Sequence, residues 1–121
     1  EEVATTSSFS DTSVRGVSLQ CSFEMFVKEQ DIALIKEMKR ILKPGGKALI
    51  LPLYMHTHYC AYSTSEYFGK GYTDNDAKEY IRLDCGGIPS SRKYNVEKLK
   101  KRILSTIENE GMQYRLLRFK Q

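Results

Sequence analysis

The sequence predicts an α/β fold with a mostly parallel sheet and flanking helices. Three features of its middle third point that way. From Ile32 to Lys43, apolar Ile32, Ile35, Met38, Ile41 and Leu42 recur at helical spacing, with Lys36, Glu37, Lys39, Arg40 and Lys43 between them. That is an apolar stripe with a charged back. Pro44, Gly45 and Gly46 then stop the helix, because proline lacks the amide that another turn needs and glycine accepts the positive φ of a tight reversal. From Ala48 to Tyr54 the run Ala-Leu-Ile-Leu-Pro-Leu-Tyr is apolar on both faces, which suits a strand covered on each side, as in a parallel sheet.

Around this unit the chain reads in order. Residues Glu1 to Ser13 are polar and rich in Ser and Thr, and are expected to form a flexible arm. Val14 to Leu19 is a short strand with Val17 and Leu19 on one face. Gln20 to Phe26 turns towards the long helix, whose first amides Asp31 is placed to cap. The second strand is expected from Lys47 to about Tyr54. Residues 55–94 show little period beyond two helical turns at Asp76 to Leu83. They far exceed the ~4–6 residues of an ordinary connection and read as a substrate-side insertion. Asn95 caps a second helix with Val96, Leu99, Ile103, Leu104 and Ile107 as its stripe, and Gly111 ends it. Met112 to Phe119 alternates loosely and is expected to close the chain as a strand. Strands joined through helices lie parallel, and ligands of such sheets sit beyond the strands' carboxyl ends, here Gln20 to Glu24 and Tyr54 to His58.

A chain of 121 residues with 40% hydrophobic and 28% charged residues is a single globular domain with a real core. Its net charge of +4 is spread over helix backs, so nucleic acid is not an expected partner. Cys21, Cys60 and Cys85 are odd in number and widely spaced, which fits reduced thiols in a cytoplasmic protein. No apolar run approaches the roughly 20 residues of a membrane span, and the first residues have no signal-peptide pattern.

Two stretches carry a family resemblance. Ser10-Asp11-Thr12-Ser13-Val14-Arg15-Gly16-Val17-Ser18-Leu19-Gln20-Cys21-Ser22-Phe23-Glu24-Met25-Phe26 resembles the fourth-strand region of class I S-adenosylmethionine-dependent methyltransferases. Ile35 to Ile50 is similar to that family's helix, turn and fifth strand, with Arg40-Ile41-Leu42-Lys43-Pro44-Gly45-Gly46 as its most recognisable piece. The resemblance covers residues 10–54; from Arg92 to Phe119 only the order of helix and strand matches. It implies the C-terminal, substrate-side half of a Rossmann-like methyltransferase sheet, transferring a methyl group to a small-molecule acceptor. The family's glycine-rich cofactor loop and ribose-binding acidic residue are absent, and Glu24-Met25 stands where the family has Glu-His. The resemblance therefore implies weak or no binding of S-adenosylmethionine by this chain alone. It also implies completion by an N-terminal half or by a homo-oligomer partner.

On that resemblance Gln20, Cys21 and Ser22 meet the cofactor, though a polar strand end with a small buried cysteine is the plainer account of them. Glu24, His56 and His58 are the candidate catalytic groups, since methyl transfer to oxygen or nitrogen requires removal of the acceptor's proton; surface pairing with lysine is the plainer role for Glu24. Tyr54, Tyr59 and Tyr62 are candidate substrate-binding walls, against the alternative that tyrosines pack the insertion onto the body. His56, His58 and Cys60 alternate like zinc ligands, but no fourth ligand is evident and no metal is expected. Asp74-Asn75-Asp76 lacks the glycine and glutamate of a calcium loop. Arg92, Lys93, Lys98, Lys100, Lys101 and Arg102 read as a solvated basic face. The rival reading is a non-catalytic assembly module whose unpaired strand edge and apolar helix faces take a partner.

Overall fold

The structure, a computed structural model, describes residues 3–84 and 87–120. Cys85, which belongs to the reading of reduced thiols, lies outside them. The order is β1 (Val14–Gln20), a short 3-10 turn (Phe23–Met25), α1 (Gln30–Ile41), β2 (Leu42–Leu51), β3 (Cys60–Thr64), β4 (Lys78–Arg82) and β5 (Ser91–Lys93). A final helical segment follows, made of α2 (Val96–Lys98), a π-helical stretch (Leu99–Leu104) and α3 (Ser105–Asn109). The class is mixed α/β. In place of a single mostly parallel sheet there are two: β1 and β2 pair in parallel, and β4-β3-β5 form a mixed sheet.

The amphipathic unit forms as its periodicity requires. Ile35, Met38, Ile41 and Leu42 are buried, joined by Leu34, and Lys39 and Arg40 occupy the last turn, where cations offset the helix dipole. α1 runs straight into β2. Between the pairs Val14↔Leu42 and Gly16↔Lys47, β1 holds only Arg15 while β2 holds Lys43, Pro44, Gly45 and Gly46, so the Pro-Gly-Gly turn is a bulge within the ladder. Gly45 takes φ +79°, and a Cβ on Gly46 would lie 2.8 Å from the Lys43 carbonyl oxygen. β2 stops at Leu51, where Pro52 supplies no amide to the ladder. The expected cover on both faces of this strand is not there: Ala48 and Leu49 are exposed.

Residues 55–94 are corrected most. Tyr62, Ile81 and their neighbours form a sheet rather than a loop, and the expected helical turns at Asp76 to Leu83 are instead β4. Lys78-Glu79-Tyr80-Ile81-Arg82 does not alternate polar and apolar residues, so its pattern does not mark it as a strand against a few helical matches. Met112 to Lys120 forms no strand among the described residues; Tyr114, Leu116, Leu117 and Phe119 are exposed, for want of a neighbouring strand. The expected flexible arm is tied down in part, since Thr12 and Ser13 donate backbone hydrogen bonds to Arg40 and Ile41, and Arg40 reaches Asp11 at 2.7 Å. No helix among the described residues is long and apolar enough to cross a membrane.

One core joins these parts: Phe23, Leu34, Ile35, Met38 and Leu42 meet Tyr59 and Tyr94, and the last helical segment adds Leu99, Ile103 and Leu104. At its centre is a buried charge cluster. The N-cap position of α1 is Glu29, but Asp31 Oδ1 does accept the first-turn Ile32 amide at 2.8 Å. The Asp31 carboxylate is 0% exposed and also accepts hydrogen bonds from Arg102 (2.8 and 3.0 Å) and the Tyr94 hydroxyl (2.7 Å), with Arg92 at 3.4 Å. Burial alone pushes the Asp31 carboxyl up. The hydrogen bond from Arg102, the charge of Arg92 and the Tyr94 hydroxyl outweigh it and hold the carboxyl below its ordinary value. Arg92 and Arg102 are thus not part of a solvated basic face.

Candidate functional site

The mixed sheet has two faces, set by the alternation of strand side chains. Cys60, Tyr62 and Thr64 of β3 share one face, with Lys78, Tyr80 and Arg82 of β4 and Ser91 and Lys93 of β5 beside them in register. Arg92 falls on the opposite face, towards Asp31. The first face borders a cavity of about 620 Å³ lined by Glu24, Tyr54, Tyr62, Ser91, Lys93 and residues Ile81 to Asp84.

Each strand end contributes for a local reason. β1 finishes at Gln20, and Cys21 takes φ +50°, a left-handed conformation unusual for a side-chain-bearing residue, while its amide donates to the Leu51 carbonyl at 2.8 Å. That bond sets the carboxyl ends of β1 and β2 side by side. The chain then turns, burying Phe23 and leaving Glu24 on the cavity wall. Glu24 Oε2 is shielded from solvent and has no hydrogen-bond partner, an acceptor left open. The chain beyond β2 is pinned to β5 by backbone bonds from the Tyr94 amide to Tyr54 (3.0 Å) and from the His56 amide to Tyr94 (2.8 Å). Tyr54 is thereby held on the cavity wall. Lys93 Nζ lies 4.8 Å from the Tyr54 ring centre and 5.2 Å from that of Tyr62, a cation bridging two aromatic walls.

No known protein family, curated protein or solved structure matches this chain. The site must be read from its own side chains.

Of the residues singled out from the sequence, Glu24, Tyr54 and Tyr62 are brought together. Gln20, Cys21 and Ser22 sit at the neighbouring strand end, outside the cavity's lining; Cys21 is exposed and Gln20 reaches only Ser18, at 3.4 Å. Tyr59 is no substrate wall. It is buried, its hydroxyl donates to Asp74 and accepts from Arg92 at 3.1 Å, and burial followed by the Asp74 bond pushes its phenol well above the ordinary range. Asp74 and Asp76 pair with Arg92 and Lys98.

His56 and His58 do not line the cavity. Their rings meet edge to face at 4.5 Å, and His58 Nε2 lies 2.9 Å from the Tyr80 hydroxyl. Tyr80 stacks on Tyr62, centroids 5.3 Å apart, so the histidines connect to the cavity through two rings. Cys60 is 0% exposed beneath them; burial pushes its thiol up and the nearby Lys93 charge pulls it back. Sequence reasoning missed Lys93, Ser91 and Arg82 as lining residues. The alternation Ser91-Arg92-Lys93-Tyr94, one side chain in and the next out, is the signal that assigns Lys93 and Arg92 to different roles.

Proposed function

We propose that this chain is the C-terminal, substrate-side part of a class I S-adenosylmethionine-dependent methyltransferase domain with a Rossmann-like sheet. The cavity beside Glu24 receives a small-molecule methyl acceptor. The observation that carries the reading is the convergence of Glu24, Tyr54 and Tyr62 on one cavity, next to the adjoining carboxyl ends of two parallel strands joined through a helix. Methyl transfer to oxygen or nitrogen leaves a proton to be removed, and the Glu24 carboxylate on the cavity wall, whose Oε2 has no other hydrogen-bond partner, is the group for it. Tyr54, Tyr62 and Lys93 hold a flat or sugar-like acceptor so that its nucleophilic atom faces the strand ends.

The residues present fit only one edge of a cofactor site. Gln20, Cys21 and Ser22 offer small polar contacts at a strand end, without an enclosing wall, so the rest is supplied by another segment or a second copy. One face of the two-stranded parallel sheet packs on the core and the other is exposed, which supports that need, since parallel strands are ordinarily covered on both sides. The unpaired thiols Cys21 and Cys60 suit a reducing compartment such as the cytoplasm.

The same exposed sheet favours a second reading, a non-catalytic assembly module. Nuclear magnetic resonance titration with millimolar S-adenosylmethionine, alongside size-exclusion chromatography, separates the two. The enzyme reading expects weak, saturable shifts at Gln20, Cys21 and Ser22. A dimer whose amide spectrum ignores the cofactor replaces it with the assembly reading.

A further inference from the structure

The His56, His58 and Cys60 cluster is used by neither reading above. One ring nitrogen from each histidine and the cysteine sulfur all lie within 4.8 Å of one another. We propose that His56, His58 and Cys60 form a zinc site with a fourth, solvent-facing position. The proposal is independent of methyl transfer.

Two imidazoles and a thiolate are the donor set that a borderline-soft divalent ion takes, and three protein ligands with an open position are the arrangement of zinc sites that keep a water. With Zn–N near 2.0–2.1 Å and Zn–S near 2.3 Å, a tetrahedral ion sets its donors about 3.3–3.6 Å apart. The trio therefore has to close by roughly 1 Å at its widest separation, within reach of side-chain rotation. His56 is exposed, and its Nδ1 is held only by its chain neighbour Thr57, at 2.9 Å from the amide. His56 can turn to meet the ion at little cost.

His58 and Cys60 are already positioned. Cys60 is fixed in β3 between β4 and β5. Tyr80 engages His58 Nε2 at 2.9 Å, while Nδ1 has only a long contact with the Thr57 hydroxyl at 3.4 Å, which an ion can displace, so Nδ1 is the metal-facing nitrogen. Metal-binding histidines ordinarily have their second ring nitrogen engaged in this way, which fixes tautomer and ring direction. Tyr80 is thus a positioning residue. A bound ion ties the crossing between the two sheets to β3, next to the Tyr54 and Tyr62 walls of the cavity.

Cobalt(II) replaces zinc as a visible probe. Titrated into chelator-treated full-length chain, it should bind one ion per chain, give a thiolate-to-cobalt charge-transfer band with the ligand-field intensity of a tetrahedral site, and be displaced by zinc. Cys60→Ser should abolish the charge-transfer band. His56→Gln, an exposed change that leaves the fold intact, should weaken binding at least tenfold, and Tyr80→Phe should weaken it by about 10–100-fold with the band retained. No stoichiometric cobalt binding, a spectrum without the thiolate band, or affinity unmoved by His56→Gln overturns the site.

Discussion

Two strands of this molecule invert the usual relation between composition and burial. β2 carries Ala48, Leu49, Ile50 and Leu51 in a row, yet Leu49 is 49% exposed; β3 reads Cys-Ala-Tyr-Ser-Thr, and Ser63 and Thr64 are buried. Coverage explains the difference. β3 lies between β4 and β5, and its polar groups find partners: Ser63 donates to Glu79 at 2.8 Å and Thr64 to the Ile88 carbonyl at 3.2 Å. β2 pairs with β1 alone, and no layer covers its far face among the described residues. A buried polar region is held by completed hydrogen bonds and charge pairs, while the apolar one waits for cover.

The comparison is broken most severely on the polar side. Asp31→Asn leaves Arg102 against an uncharged amide, while Arg92 keeps Asp74 at 2.8 Å, and should cost about 3 kcal/mol in urea unfolding. A loss under about 1 kcal/mol would mean the charge cluster is not what holds the last helical segment to α1. The pH dependence has a definite sign. The Asp31 carboxyl is held below its ordinary value, so its contribution is whole above about pH 3.8 and is lost as the pH falls through the lower folded value. The stability gap between wild type and Asp31→Asn should therefore narrow only in strongly acid solution.

This cluster also marks the limit of what was legible beforehand. Helix α1 with its apolar stripe, β1 and the Asn95 cap follow from local spacing, and they form. The Pro-Gly-Gly turn forms as a bulge inside the ladder rather than as the stop of the helix, which ends at Ile41, and Val96 of the second stripe is exposed. Asp31 lies four residues before Ile35 and seven before Met38, on the stripe itself, so its burial was readable; its partners were not. Arg92, Tyr94 and Arg102 come from far along the chain, and no period within one element announces a pairing across three. The mixed sheet stayed hidden for a similar reason, since β5 has three residues and strands that short carry too little alternation. Tyr54 and Tyr62 were separable from Tyr59 only once alternation along β3 and the position of Arg92 were fixed.

On the β1–β2 side the largest effect should come from the bulge. In Gly46→Ala the new Cβ meets the Lys43 oxygen at 2.8 Å, the Arg15 oxygen at 3.1 Å and Leu42 Cδ2 at 3.1 Å, two of them backbone atoms that cannot step aside. Overpacking of this kind should cost about 1–3 kcal/mol by thermal or urea unfolding. Gly45→Ala meets open space and only the φ strain, so it should cost less, about 1 kcal/mol. Equal effects at the two glycines would show that the bulge is looser than its carbonyls imply.

The helical segment that packs against α1 depends on a cap. The Asn95 side chain accepts from the Lys98 amide at 2.9 Å, and Asn95→Ala should cost about 1 kcal/mol. Because Arg102 is carried by the same segment, a double change with Asp31→Asn should cost less than the sum if fraying at the cap already loosens the pair. Strict additivity would mean that the cap and the charge cluster hold the segment separately.

The smallest effect is the one that decides what the apolar strand is for. In a monomer with β2 facing water, Leu49→Thr removes little buried surface and places a β-branched residue in a strand, so unfolding free energy should shift by no more than about 0.5 kcal/mol. If a second copy covers that face, the outcome changes in two linked ways. Stability rises with protein concentration in the wild type, because association stabilises the folded form by mass action. Leu49→Thr then removes both the concentration dependence and more than 1 kcal/mol of roughly 25 cal/mol per Å² burial. Unfolding curves at two protein concentrations, with and without the substitution, distinguish a sheet face left open to solvent from one covered by a second copy of the chain.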